Sequence, residues 1–116
     1  MSDNPTIFGR ILRGEIPSER LWDDEHVIAI RDIAPTAPTH VLILPKRYLP
    51  TLNDATADDR MLLGHMAWVA ARLAEQLGIA ESGYRLVINC NGQGGQSVYH
   101  IHMHLLGGRQ MGWPAG

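Results

Sequence analysis

The chain has 116 residues, 45% of them hydrophobic and 19% charged, with a formal net charge of −2. This length sets a single domain over residues 1–116, and folding should bury roughly 65% of the surface of the extended chain, enough for a core without staples. The composition argues against intrinsic disorder, and the slight negative charge offers neither a basic field for nucleic acid nor a polybasic arm for a membrane. One cysteine, Cys90, excludes an internal disulfide and a four-cysteine zinc site. No apolar run approaches bilayer length, and the first residues lack the regions of a signal peptide, so a cytoplasmic protein is expected.

Residues Pro5 to Arg13 predict a short helix, capped by Asp3 or Asn4 and stopped by Gly14, with Ile7, Phe8, Ile11 and Leu12 on one face. Three strand candidates follow: Arg20–Trp22, Val27–Arg31 and His40–Leu44. Between the last two, Asp32 to Thr39 holds Pro35 and Pro38 and reads as a loop whose ends, Asp32 and His40, meet if the strands pair. Asp58 to Leu77 predicts one long helix with an apolar stripe of Leu62, Met66, Val69, Leu73 and Leu77, capped by Thr56 and stopped by Gly78. His65 and Trp68 lie on it, and packing on the helix flank accounts for both. Two further strands, Tyr84–Cys90 and Val98–Leu106, close the chain around a glycine loop, which implies antiparallel pairing. The order helix, strands, helix, strands gives an α+β fold with an antiparallel sheet.

Six histidines stand in this short chain, three of them at alternate positions, His100, His102 and His104. On a strand the three imidazoles share one face, and Ile101, Met103 and Leu105 share the other. Alternate side chains are roughly 6–7 Å apart at a rise of about 3.3 Å per residue, closer to the reach of phosphate oxygens than to direct imidazole contact. Spacing leaves three readings: a merely polar face, a zinc site with His40 as a third ligand, or a nucleophilic and acid–base site for phosphoryl chemistry. The loop Gly92-Gln93-Gly94-Gly95-Gln96-Ser97 favours phosphate, because glycine lets backbone N–H groups approach an anion and Ser97 adds a hydroxyl near a leaving group. Asp32 reads either as a turn aspartate or as a carboxylate for ribose hydroxyls, and Asn89 as a turn residue or a ligand. Cys90 has no adjacent motif. Trp113, in a glycine-rich tail, needs a surface on this chain or a partner.

The run His100-Ile101-His102-Met103-His104-Leu105-Leu106 resembles the signature of the histidine triad family. Ile7-Phe8-Gly9-Arg10-Ile11, Glu15-Ile16-Pro17, Asp32-Ile33, Ala37-Pro38-Thr39-His40, Gly94 to Tyr99 and Gly107 to Pro114 extend the resemblance, to the histidine triad nucleotide-binding branch, across almost the whole chain. It implies a five-stranded antiparallel sheet with one long and one short helix, and a homodimer with a continuous sheet to which the tail 107–116 contributes. It implies hydrolysis of purine nucleoside phosphoramidates, with AMP- or GMP-type nucleotides as ligands and no metal or other cofactor. His102 would be the nucleophile and become nucleotidylated, His104 would contact the phosphate, and His100 and His40 would support them. Asp32 would hold the ribose. Ile33, Ile7, Phe8, Ile11 and Ile16 would form the base pocket. Asn89, Gly95, Gln96, Ser97 and Val98 would line the phosphate, and Trp113 would reach the neighbouring subunit's site. A nucleotide-binding adaptor with vestigial hydrolysis and a dinucleoside polyphosphate hydrolase are the competing functions.

Overall fold

A computed structural model describes residues 4–116. Five strands, β1 (Arg20–Asp23), β2 (Val27–Arg31), β3 (Thr39–Pro45), β4 (Tyr84–Ile88) and β5 (Met103–Gly107), form one antiparallel sheet in the order β1-β2-β3-β5-β4. Helix α1 (Ile7–Leu12) precedes it, and α2 (Arg60–Gln76) connects β3 to β4. The α+β class and the antiparallel sheet are as expected.

β2 is buried at four of its five residues and β3 at six of seven, a pattern that requires cover on both faces of the sheet. Alternation sorts the side chains between two layers. Val27, Ala29, Val41, Ile43, Met103 and Leu105 pack with Met66, Val69, Ala70 and Leu73 of α2. Ile28, Ile30, Leu42 and Leu44 point the other way and meet Phe8 and Ile11 of α1. The expected stripe of α2 is therefore its buried face. Trp68 lies on the flank, packed edge-on against Trp22 and stacked on His65, whose Nε2 is 2.7 Å from Asp24.

Several boundaries differ from the sequence expectation. α1 is shorter than Pro5–Arg13, and its cap is Thr6, whose hydroxyl accepts from the Gly9 N–H. Asn4 does not cap it, and Asp3 lies outside the described residues. Thr56 does cap the start of the long helical stretch, but Ala57–Asp59 wind as a tighter 3-10 turn before α2 begins at Arg60. Gly14 and Gly78 follow the two helices with φ of +78° and +77°, the left-handed conformation that suits glycine. β4 stops at Ile88, two residues before Cys90.

The largest difference concerns the histidines. β5 begins at Met103, not Val98, so only His104 lies in the ladder. The opposing strand runs out at Pro45, which has no N–H to donate and whose carbonyl lies 2.9 Å from His100 Nε2. The Ile101 N–H instead donates to the Leu49 carbonyl at 2.7 Å. Residues 98–102 are thus held by a loop and by side chains.

Among the described residues, no helix is long and apolar enough to cross a membrane. Truncating Leu73, fully packed against the sheet, should cost about 2–5 kcal/mol, whereas Met61→Ala, at a position 86% exposed, should stay within about 0.5 kcal/mol. Urea denaturation of both variants checks which face of α2 carries the packing.

Candidate active site

Register brings the site together. His104 pairs with Leu42 and His40 with Leu106, so the two histidines are diagonal neighbours on the α1 side of the sheet. The Asp32 N–H donates to the His40 carbonyl at 3.0 Å, which places Asp32 beside His40 at the end of β2, as the pairing of the flanking strands predicts. Asp32 Oδ2 is 3.4 Å from His40 Nε2, and Oδ1 accepts from the Ala34 N–H, an Asx turn. The turn and ligand readings of Asp32 are therefore compatible. His102 and His104 have ring centroids 5.0 Å apart, and His40 and His104 5.1 Å apart. Direct imidazole contact occurs across strands, which the spacing along one strand does not address: His40 Nε2 is 2.9 Å from His104 Nδ1.

Hydrogen-bond partners determine which ring nitrogens carry protons. His102 Nδ1 lies 2.8 Å from the His100 carbonyl, which can only accept, so Nδ1 is protonated and Nε2 of the neutral ring keeps its lone pair. His40 Nδ1 accepts the Thr36 N–H at 3.1 Å, so its proton is on Nε2 and is donated toward His104 Nδ1. His104, accepting at Nδ1, then carries its proton on Nε2. Neighbouring rings thus present opposite functions, a lone pair on His102 and an N–H on His104.

Burial sustains these neutral forms. It is the main cause that lowers the pKa of His100 and of His102, against the hydrogen bonds to the carbonyls of Pro45 and His100, which favour the proton. His104 is pushed down to about 4 by burial and then by His102 and His40, with Asp32 opposing. Phe8 closes the site from the α1 side, 4.8 Å edge-on from the His102 ring.

The remaining expected residues divide. Phe8 and Ile11 are buried beneath the histidines, with Ile16 and Val98 packed at the margin of the same cluster. Ile7 and Ile33 are exposed, Ile33 at 96%, so they offer open apolar surface and no enclosed base pocket. The glycine loop corrects the anion-cradle expectation at two positions. The Gly95 and Gln96 N–H groups donate to the carbonyls of Gly92 and Asn91, closing the loop's own turns. The Gln96 side chain is buried, accepting from the Asn91 N–H and donating to the Pro50 and Val98 carbonyls. Asn89 lies just beyond β4 and donates to the Gly94 carbonyl. Ser97 is exposed at the loop exit. Trp113 is 85% exposed, on a tail held by Arg85, which donates to the Gly112 carbonyl. Thr36 and Tyr48 escaped the sequence reading, which took Asn4 only as a helix cap. Thr36 acts through its backbone and has no residue-type signal. Tyr48 stacks on His100, and Asn4 is a long-range contact of the same ring.

Asp32, His40 and His104 have donor atoms within 4.8 Å of one another and are the one such metal-ligand group among the described residues. It includes neither His100 nor His102, so the alternate spacing is not what creates it. A cavity of about 760 Å³ lies elsewhere, between the β1–β2 turn and the start of α2, lined by His26, Lys46, Arg47, Asp58, Met61 and His65 among others. It contains none of the triad.

Residues 13–111 match the HIT domain family model. The chain is a member of the HIT, or histidine triad, family. It is 59% identical over 107 residues to the purine nucleoside phosphoramidase of Escherichia coli K12, covering 92% of this chain and 90% of the relative. It is 50% identical to an uncharacterized HIT-like protein of Synechococcus elongatus, covering 96% of each. The solved HIT family hydrolase of Legionella pneumophila superposes with a TM-score of 0.92 at 53% identity, covering 95% of this chain and 98% of that one. The triad thus sits in the HIT fold with His102 and His104 side by side beneath α1.

Neutral burial has a consequence for stability. Histidines of the unfolded chain take up protons near pH 6.5, whereas His100, His102 and His104 resist them. Below about 6.5 the unfolded state binds more protons, so stability should fall as pH is lowered from 7 toward 5. Denaturant midpoints at the two pH values measure it, and equal midpoints would contradict the neutral assignment.

Proposed function

We propose that this protein is a purine nucleoside phosphoramidase, hydrolysing the P–N bond of adenosine or guanosine 5′-phosphoramidates to the nucleoside monophosphate and an amine. The observation that carries the reading is the hydrogen-bond pattern at Nδ1: the His100 carbonyl at His102 and His40 Nε2 at His104, which together leave a lone pair at His102 Nε2 and an N–H at His104 Nε2. The name of the 59% identical Escherichia coli relative supports it. A lone pair can attack phosphorus, while an adjacent N–H stabilises charge on the phosphoryl oxygens.

In the first step His102 Nε2 forms a bond to the α-phosphorus and the P–N bond breaks, the amine leaving with a proton relayed from solvent through the exposed Ser97 hydroxyl. In the second, water attacks the phosphorus and releases its proton to solvent by the same hydroxyl, and the N–P bond breaks to release the monophosphate and restore the imidazole. The His100 carbonyl supports both steps, because it stabilises the Nδ1–H as charge builds on the ring. Asp32 holds the ribose, and Phe8, Ile11, Ile16 and the exposed Ile7 and Ile33 offer apolar surface for the base. An apolar surface of this kind discriminates adenine from guanine poorly, which fits a purine site without strong choice between them.

The site also accommodates a homodimer. β4 is a sheet edge with Tyr84 and Leu86 each 37% exposed, an edge on which a second copy can continue the sheet. The exposed Trp113 then reaches the partner's site.

AMP release from adenosine 5′-phosphoramidate, measured with a chelator present, tests the reading. Wild type should turn over, and His102→Ala should lose turnover by at least about a thousandfold while still binding AMP. Comparable rates in the two proteins would remove His102 as nucleophile. The acid limb of kcat/KM should fall below the ordinary imidazole value near 6.5, since burial keeps His102 unprotonated to lower pH.

A further inference from the structure

Asn4 is 2% exposed and lies at the junction of α1 and the triad. Its Nδ2 is 2.6 Å from Nδ1 of His100, ninety-six positions away in the chain. The orientation of its carboxamide is determined by Thr6: Oδ1 accepts from the Thr6 N–H at 3.0 Å and from its hydroxyl at 2.7 Å, which leaves the NH₂ facing His100. On the far side of the ring, Nε2 meets the Pro45 carbonyl, which can only accept. His100 is therefore a neutral ring protonated at Nε2, with an amide donating to its Nδ1. Tyr48 stacks on its face at 5.8 Å, Phe8 meets it edge-on at 6.2 Å, and His102 is the neighbouring ionisable ring. Gly9 leaves room for this contact, since a Cβ there would lie 2.5 Å from Asn4 Cγ.

We propose that Asn4 is a positioning residue of the phosphoramidase reaction. It clamps His100 from below, so that the His100 carbonyl stays where it holds the His102 Nδ1–H and aims Nε2 at phosphorus. Residues 98–102 lie outside the sheet ladder, so the side chain of His100 supplies the anchorage that strand pairing would otherwise give. The proposal rests on His102 being the nucleophile. The competing role for Asn4 is local, the start of α1, and the two roles use different atoms: Oδ1 serves Thr6, and Nδ2 serves His100.

Asn4→Asp separates them. It keeps the oxygen that Thr6 needs and replaces the donor with an acceptor, which turns toward a ring nitrogen that has no proton. His100 must then take a second proton or break away. Two-bond ¹H–¹⁵N spectra of the imidazoles read this directly. The wild-type His100 should show an unprotonated Nδ1. In Asn4→Asp that nitrogen should gain a proton or shift as the ring moves, and the His102 resonances should move with it. A misaimed nucleophile should lose about ten- to a hundredfold in kcat, while AMP affinity changes by less than about twofold.

Gly9→Ala is the second variant: its Cβ would meet Asn4 Cγ at 2.5 Å and the Asn4 backbone carbonyl at 2.6 Å, so it displaces the whole residue without changing its chemistry, and should give the same drop in kcat with the His100 signal perturbed. It carries the test alone if Asn4→Asp does not fold. Unchanged His100 and His102 spectra, a kcat within twofold of wild type, or an equal loss of AMP affinity and rate would each overturn the proposal. Failure of the function reading looks different: wild type would not turn over the phosphoramidate, while the spectra would still show whether Asn4 sets His102.

Discussion

An imidazole buried among apolar side chains cannot readily stay protonated, and each of its nitrogens needs a partner. The three triad histidines sit on the α1 side of the sheet under this constraint, with His40 hydrogen-bonded beside them. It is met by two short chains of hydrogen bonds. One runs from the Pro45 carbonyl through His100 to His102, and the other from the Thr36 N–H through His40 to His104. Each begins at a fixed backbone group of known donor or acceptor type. The fold therefore determines the proton positions, and with them the chemistry that the rings can do.

The break in the β3–β5 ladder is part of the same arrangement. Had residues 98–102 continued the strand, their carbonyls would have been drawn toward ladder N–H groups. Because β3–β5 pairing ends at Ile43 and Met103, the His100 carbonyl serves a side chain instead. A proline at the end of β3 thus has two effects. It withholds the donor that would prolong the strand, and it offers a carbonyl that holds His100 Nε2.

Much of this was legible in the sequence, and what was missed has physical causes. The apolar runs of β2 and β3, the stripe of α2 and the meeting of Asp32 with His40 follow from periodicity and from the pairing of adjacent strands. The start of β5 did not, because alternating His and apolar residues look the same whether or not their backbone is in a ladder. The glycine loop read as open backbone, yet Gly95 and Gln96 use their N–H groups internally, and Gln96 is a buried tie between Asn91, Pro50 and Val98. Asn4 read as a cap because its residue type suits one. Its actual partner lies at the other end of the chain, where no local pattern points.

His102 and His104 are chemically identical, two residues apart, and both neutral, yet they do opposite things. The difference is made by the partner at Nδ1. A carbonyl there forces the proton onto Nδ1 and exposes a lone pair at Nε2; an imidazole donor there forces the proton onto Nε2 and exposes an N–H. Burial alone would leave the two tautomers of each ring close in energy, and a site with two lone pairs would repel the anion it must bind. The spacing of the triad supplies the rings, but the asymmetry that distinguishes nucleophile from donor comes from groups other than those rings: Pro45, Thr36, His40 and the backbone carbonyl of His100.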